Sequence, residues 1–175
     1  MDLAIELSRR PDKNRVVEIT AHIGNSTTRF AELITCILKG DDSVSKYGSW
    51  LLSHCIQQNP QLVQPHLGAL ISNLERPALN DSVVRSTVKA LAEVDIPADL
   101  QGHALQHCFD YLLDPKVAVA IHVHAMQTIF NISKNEPDLL RELQMVIEEN
   151  MPHGTAAYKA RGRRILEKIK KILAH

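Results

Sequence analysis

An internal repeat limits the possible folds of this chain more strongly than any other feature of its sequence. Four stretches of the 175 residues can be aligned with one another at a period of about 34 to 39 residues. One set of residues recurs in the same order, each time after a short acidic turn: Val44, Lys46 and Leu52, and then Val83, Arg85 and Leu91. A repeat of this length holds two helices, so the sequence predicts stacked helix pairs.

The second helix of each pair repeats as well. Its mostly apolar positions recur four times along the chain: Phe30, Leu33, Ile34 and Ile37; Leu67, Leu70, Ile71 and Leu74; Leu105, Cys108, Phe109 and Leu112; Leu139, Glu142, Leu143 and Val146. These positions follow the 3.6-residue period of an α-helix, with Pro and Gly between the segments. The predicted helices span residues 12–23, 26–39, 42–58, 61–75, 81–94, 98–113, 116–134, 137–150 and 155–173.

The predicted fold class is therefore all-α, in a single domain over residues 1–175. The segment from Val117 to Ile132 is apolar around most of its circumference, which is typical of a helix covered on both sides. We expect the following side chains in the core: Val88, Leu91, Leu105, Phe109, Ile121, Ile129 and Leu143.

The run from Asp81 to Arg85, an acidic turn followed by Val and then a basic residue two places on, resembles the first helix of a HEAT repeat. The resemblance covers roughly residues 26 to 172. It implies a right-handed α-α superhelix of about four helix pairs plus a C-terminal capping helix, with the second helices lining the concave face. The chain departs from the pattern at Val119, which replaces the basic residue, and at Trp50, which we expect to be partly exposed.

The concave face implied by this resemblance is the predicted binding surface. Alignment of the second helices places the following polar residues on it: Glu32, Thr35, Ser72, Gln106, His107, Asp110, Arg141 and Gln144. Their mixed polarity is typical of a polypeptide contact more than of a phosphate site. The simpler alternative is a solvated face without a partner.

The function that these observations favour is a non-enzymatic scaffold that binds a protein partner through its concave face and needs no cofactor. The alternative is a HEAT-like DNA-binding protein, because some bacterial proteins of this type are alkylpurine DNA glycosylases. Such a protein would present a basic concave groove, whereas the predicted face also carries Glu32 and Asp110. Nucleic acid is therefore disfavoured as a partner.

Catalytic and metal-binding patterns are weak in this sequence. His103 and His107 have the i, i+4 spacing that can place two imidazoles on one metal ion, with Asp110 as a third ligand. No Glu lies between them as in the metalloprotease pattern, so we predict no metal site. The three cysteines, Cys36, Cys55 and Cys108, sit in apolar helical patterns and are expected to be reduced, buried thiols.

Charge is balanced overall and uneven along the chain. The 20 basic and 20 acidic residues cancel, but the segment from Thr155 has seven Lys or Arg and one Glu, so its charge of +6 leaves −6 on residues 1 to 154. The cations of this basic tail include Arg161, Arg163, Arg164, Lys168 and Lys171. They either surround a capping helix or form a contact for nucleic acid or an anionic surface.

The sequence shows neither a signal peptide nor a stretch of 18 apolar residues. We therefore expect a cytoplasmic protein with no membrane contact.

Overall fold

A computed structural model describes residues 1–174, and these residues form an α-helical protein. No strand occurs among them. Their helices, in chain order, are α1 (Leu3–Leu7), α2 (Lys13–Ile23), α3 (Thr27–Lys39), α4 (Asp42–Gln58), the 3₁₀-helix η1 (Pro60–His66), α5 (Leu67–Asn73), α6 (Asp81–Glu93), α7 (Ala98–Leu113), α8 (Val119–Ile132), the 3₁₀-helix η2 (Ser133–Asn135), α9 (Pro137–Asn150) and α10 (Ala156–Leu173). The all-α prediction is confirmed.

Side-chain caps explain why most helices begin where the sequence predicts. Asp12, Ser26, Asp41 and Thr155 each precede a helix, and each side chain accepts a hydrogen bond from a backbone N–H in the first turn. Such a cap satisfies one of the four N–H groups that a helix start leaves without a partner. The predicted starts of these four helices therefore lie within one residue of the observed ones.

Two predicted helices differ from the structure where proline interrupts them. The segment predicted as 61–75 is a 3₁₀-helix up to His66 and an α-helix from Leu67, because Pro65 has no N–H for an α-helical hydrogen bond. The helix predicted from residue 116 begins at Val119, since a turn after Asp114 occupies Pro115 and Lys116. Helix α1 was not predicted.

The described chain divides into two compact units, Met1–Val94 and a second one that begins at Asp95. In the N-terminal unit, hydrogen bonds between successive repeats join residues 33 to 38 positions apart, which matches the sequence period. The pairs are Asn25–Asn59 (3.2 Å), Leu38–Arg76 (3.0 Å), Asp42–Asn80 (3.2 Å) and Ser49–Ser82 (3.3 Å). Stacked repeats require contacts at one repeat length, and these bonds provide them.

The core of the N-terminal unit lies among α2, α3, α4 and α6. Phe30, Leu33, Leu51, Val88 and Leu91 are buried there, so the prediction for Val88 and Leu91 is confirmed. Helix α1 adds Leu3 and Leu7 to the same core. Its Glu6 forms an ion pair with Arg15 of α2, which also bonds to Glu18.

In the C-terminal unit, α8 packs between α7 and α10. Ile121, Ala125, Met126 and Ile129 are buried, which confirms that this apolar helix is covered on both sides. His122 is buried as well, and its Nε2 donates to the carbonyl oxygen of Asp114 at 3.0 Å. The hydrogen bond satisfies a polar ring in an otherwise apolar layer.

The predicted buried face was wrong for α7 and right in part for α9, where the burial of Leu143 is confirmed. Leu105 and Phe109 of α7 are half-buried, and the buried residues of that helix are Ala104, Cys108 and Leu112. In α9 the core series is Leu140, Leu143 and Ile147, with Leu139 and Val146 half-buried. The small side chains of Ala104 and Cys108 allow α8 to approach closely, so the contact line runs one residue away from the larger side chains.

The single-domain assignment and the right-handed superhelix stay predictions.

Candidate functional site

Three of the predicted contact residues lie on the second helices of the N-terminal unit. Glu32 and Thr35 of α3 and Ser72 of α5 are exposed. Glu32 and Thr35 line a cleft of about 810 Å³ together with Met1 to Ala4 and Cys36. Helix α1, which was not predicted, forms one wall of this cleft, so the cleft could not be predicted either.

Helix α7 brings three further predicted residues together in the C-terminal unit. Gln106 and Asp110 are exposed, and the Nε2 of Gln106 donates to Oδ1 of Asp110 at 3.0 Å. His107 stacks on Tyr111 with ring centroids 6.3 Å apart. These contacts lie within one helix face, so they hold the side chains in an ordered polar stripe.

The last two predicted contact residues lie on α9. Arg141 is exposed and pairs with Asp138 at 2.8 Å. The Nε2 of Gln144 donates to Glu148 at 2.8 Å. Gln144 and Glu148 also line a cleft of about 520 Å³ against Leu166 and Lys170 of α10.

The histidine pair on α7 does not come together with a full set of metal ligands. His103 is exposed and His107 is half-buried. Asp110, the third ligand considered from the sequence, already accepts the hydrogen bond from Gln106. Within residues 1–174 no three side chains among His, Cys, Asp and Glu converge as a metal site would require.

The three thiols are free, and burial raises the pKa of each. For Cys55 and Cys108 the pKa rises to about 12. Cys55 and Cys108 are buried as expected, whereas Cys36 is only half-buried. Since the thiolate is the nucleophile, the raised pKa keeps Cys55 and Cys108 in the less reactive thiol form at neutral pH.

The basic tail forms α10, whose Tyr158, Ile165 and Ile169 are buried. Two of its cations contact α8: Arg161 donates to Gln127 at 2.8 Å, and the Lys168 ammonium lies 5.5 Å from the centroid of the Phe130 ring. Arg163, Arg164 and Lys171 are exposed. The contacts of Arg161 and Lys168 with α8 favour the interpretation of α10 as a capping helix on the side that faces α8.

A second group of functional candidates was missed by the sequence analysis because its members lie far apart in the chain. Arg10, Lys46, Trp50 and Arg85 line one cleft in the N-terminal unit, together with Tyr47 and Ser82. A signal was present, since Lys46 and Arg85 occupy equivalent positions of two repeats. In the sequence these two positions fit the packing pattern of the repeat equally well, so they do not stand out as a site.

None of the helices within residues 1–174 has the length and apolar character needed to cross a lipid bilayer. Comparison with known sequences places a HEAT repeat domain over residues 3–169. Among curated proteins and solved structures, none matches the chain significantly.

Proposed function

The chain belongs to the HEAT repeat family, and from that premise we propose that it is a non-enzymatic scaffold that binds a protein partner through the exposed faces of α3, α5, α7 and α9. Helical repeats expose one helix of each pair, and these exposed helices carry the contacts to partners. HEAT repeats commonly mediate protein interactions, which supports a polypeptide as the ligand.

The observation that carries the proposal is the cleft between α1 and α3. It combines apolar wall residues, including Leu3 and Ala31, with the polar groups of Glu32 and Thr35. Protein interfaces have this composition, with apolar contacts at the centre and hydrogen-bonding groups around them. The cleft between α9 and α10 in the C-terminal unit has the same mixed composition, with Leu166 and Leu173 beside Gln144 and Glu148.

The polar side chains of this surface are already ordered by contacts within their helices. Thr35 donates to the carbonyl oxygen of Ala31 at 2.9 Å, and Gln106 and Gln144 donate to acids one turn later. An ordered side chain loses less conformational entropy when a partner binds. The surface is thus suited to a segment that supplies complementary polar groups without rearrangement of the helices.

The experiment uses matched substitutions on the two kinds of helix. Thr35→Lys and Ser72→Lys each add a bulky cation to an exposed position of a second helix, and Asn14→Lys adds the same cation to an exposed position of α2. A partner is first isolated with the native protein and then titrated against each purified variant. We expect the first two variants to weaken binding about tenfold or more and Asn14→Lys to leave it unchanged. Equal loss in all three variants, or loss in Asn14→Lys alone, would contradict the proposed surface.

A further inference from the structure

A cationic and aromatic cleft lies on the first helices of the N-terminal unit, outside the surface discussed above. It measures about 410 Å³, within the range of small-ligand sites. Helices α4 and α6, which pack against each other, supply most of its wall, and the loop before α2 supplies the rest. The lining residues are Arg10, Lys46, Tyr47, Trp50, Ser82 and Arg85.

Three of these residues carry positive charge and form no ion pair within the described chain. Within residues 1–174, neither Arg10 nor Lys46 nor Arg85 takes part in an ion pair, whereas Arg15 and Lys89 of the same unit both do. No acidic residue lines the cleft. Like charges held in one cleft repel one another, and a bound anion removes that repulsion. The charge pattern therefore favours an anionic ligand.

The aromatic rings of Tyr47 and Trp50 favour an anion that also carries a planar ring. Trp50 is half-buried, and its indole contacts the His54 ring edge-on at 5.8 Å. Tyr47 is half-buried as well, with the Lys46 ammonium 5.7 Å from its ring centroid. A flat indole beside unpaired cations suits a ligand that combines a planar ring with a phosphate, since bases stack on such rings while cations hold the backbone.

A neighbouring cleft extends the cationic surface. It also measures about 410 Å³ and shares Arg10 and Trp50 with the first one, adding Pro11, Asp12 and Lys13. The Asp12 carboxylate accepts a hydrogen bond from the N–H of Arg15 at 2.8 Å, so it is engaged as a helix cap. Both clefts therefore share Trp50, and cations line each of them.

We propose that this cleft binds a nucleotide unit, its phosphate held by Arg10, Lys46 and Arg85 and its base stacked on Trp50. The unit is either a free nucleotide or one residue of a single-stranded nucleic acid, since both present the same chemistry. Nucleic acid is disfavoured from the sequence because the predicted concave face carries Glu32 and Asp110. The three cations of this cleft lie on other elements and come together only in the folded chain. The site is independent of the protein contact surface, which lies on the other helices.

Trp50 is the single tryptophan of the chain, so its fluorescence reports directly on this cleft. The protein is titrated with a mononucleotide, a single-stranded oligonucleotide of about eight nucleotides, pyrophosphate and polyglutamate. We expect saturable quenching by the two nucleotide ligands at concentrations at least tenfold below those needed for pyrophosphate or polyglutamate. Tighter binding of the oligonucleotide than of the mononucleotide assigns a strand as the ligand, and equal affinity of the two assigns a free nucleotide. Binding of polyglutamate or pyrophosphate as tight as that of the nucleotides would overturn the assignment.

Two triple variants with the same change in charge locate the site by calorimetry. Arg10→Gln, Lys46→Gln and Arg85→Gln together remove the cations of the cleft, and Arg163→Gln, Arg164→Gln and Lys171→Gln together remove three exposed cations of the basic tail. The first variant should bind about a hundredfold more weakly and the second within about twofold of the native protein. The single variant Arg85→Gln changes an exposed position and should bind the nucleotide about tenfold more weakly. It replaces the triple variant in the test if circular dichroism shows that the triple variant is not helical. Unchanged affinity in the cleft variants, or an equal loss in the tail variant, would overturn the proposal.

Discussion

Substitution of two phenylalanines in the C-terminal unit tests which face of its helices forms the core. Phe130 of α8 is 4 % exposed, whereas Phe109 of α7 is half-buried. The sequence pattern had placed Phe109 in the core. Phe109→Ala and Phe130→Ala remove the same group from the same unit, so the difference between them reports mainly how far each ring is buried.

The expected magnitudes follow from the area that each ring removes from water. For Phe130→Ala we expect a loss of about 3 to 5 kcal/mol in the free energy of unfolding, the range for a buried ring that leaves a cavity. The ammonium groups of Lys134 and Lys168 also lose their contacts with this ring, at 5.8 and 5.5 Å from its centroid. For Phe109→Ala, where part of the ring is already in water, the loss should be about 1 to 2 kcal/mol.

Urea unfolding followed by circular dichroism measures both losses against the native protein. In a thermal scan, the midpoint of Phe130→Ala should lie roughly 5 to 10 °C below that of Phe109→Ala, since about 1 kcal/mol corresponds to 2–4 °C at this chain length. A loss in Phe109→Ala that equals or exceeds that in Phe130→Ala would refute the burial argument and restore the face predicted from the sequence.

Three further predictions concern close contacts, thiols and metal. Gly40→Ala should destabilise the protein by about 1 to 3 kcal/mol in urea unfolding, because a Cβ there would lie 2.4 Å from the carbonyl oxygen of Cys36. Gly102→Ala is the control and should stabilise the protein slightly, because a Cβ there meets nothing within 4 Å. A more stable Gly40→Ala than Gly102→Ala would contradict the packing argument. Because burial raises the pKa of Cys55 and Cys108 to about 12, the unfolded chain loses these protons first, so stability should fall by about 1.4 kcal/mol per pH unit and thiol between about pH 9 and 12. An alanine at either cysteine should make that slope shallower, and an unchanged slope would contradict the burial of its thiol. Elemental analysis of protein purified without chelator should find no stoichiometric zinc; one equivalent that is lost in His107→Ala would establish the metal site that we do not expect.

Local chemistry explains why the helices could be predicted from the sequence. Asp12, Ser26, Asp41 and Thr155 cap helices through their own side chains, and such signals act over three residues. The repeat period was equally accessible, because the bonds between repeats recur at the spacing of the apolar pattern. Helix α1 has five residues, too few for a periodic signal, and is held by burial of Leu3 and Leu7.

The exact core face of α7 and α9 depends on tertiary contacts. Helix α7 is apolar over a wide arc, so either Leu105 with Phe109 or Ala104 with Cys108 fits its pattern. The close approach of α8 selects the smaller pair, and nothing within α7 indicates that choice. The cationic cleft could not be predicted from the sequence for the same reason. Its cations, Arg10, Lys46 and Arg85, come together only when α4 and α6 pack.

The central claim of the proposed function is that the second helices of the repeats form the contact surface for a protein partner. Photo-cross-linking in cells tests this claim most directly. A photoreactive amino acid is placed in turn at exposed or half-buried positions of the second helices, namely Thr35, Ser72, Gln106 and Gln144. The control positions are exposed residues of other helices, Asn14 and Arg163. We predict that the same partner is cross-linked from the four second-helix positions and that no cross-link to it forms from the two control positions. Cross-links to that partner from Asn14 or Arg163 alone, with none from the second helices, would contradict the account.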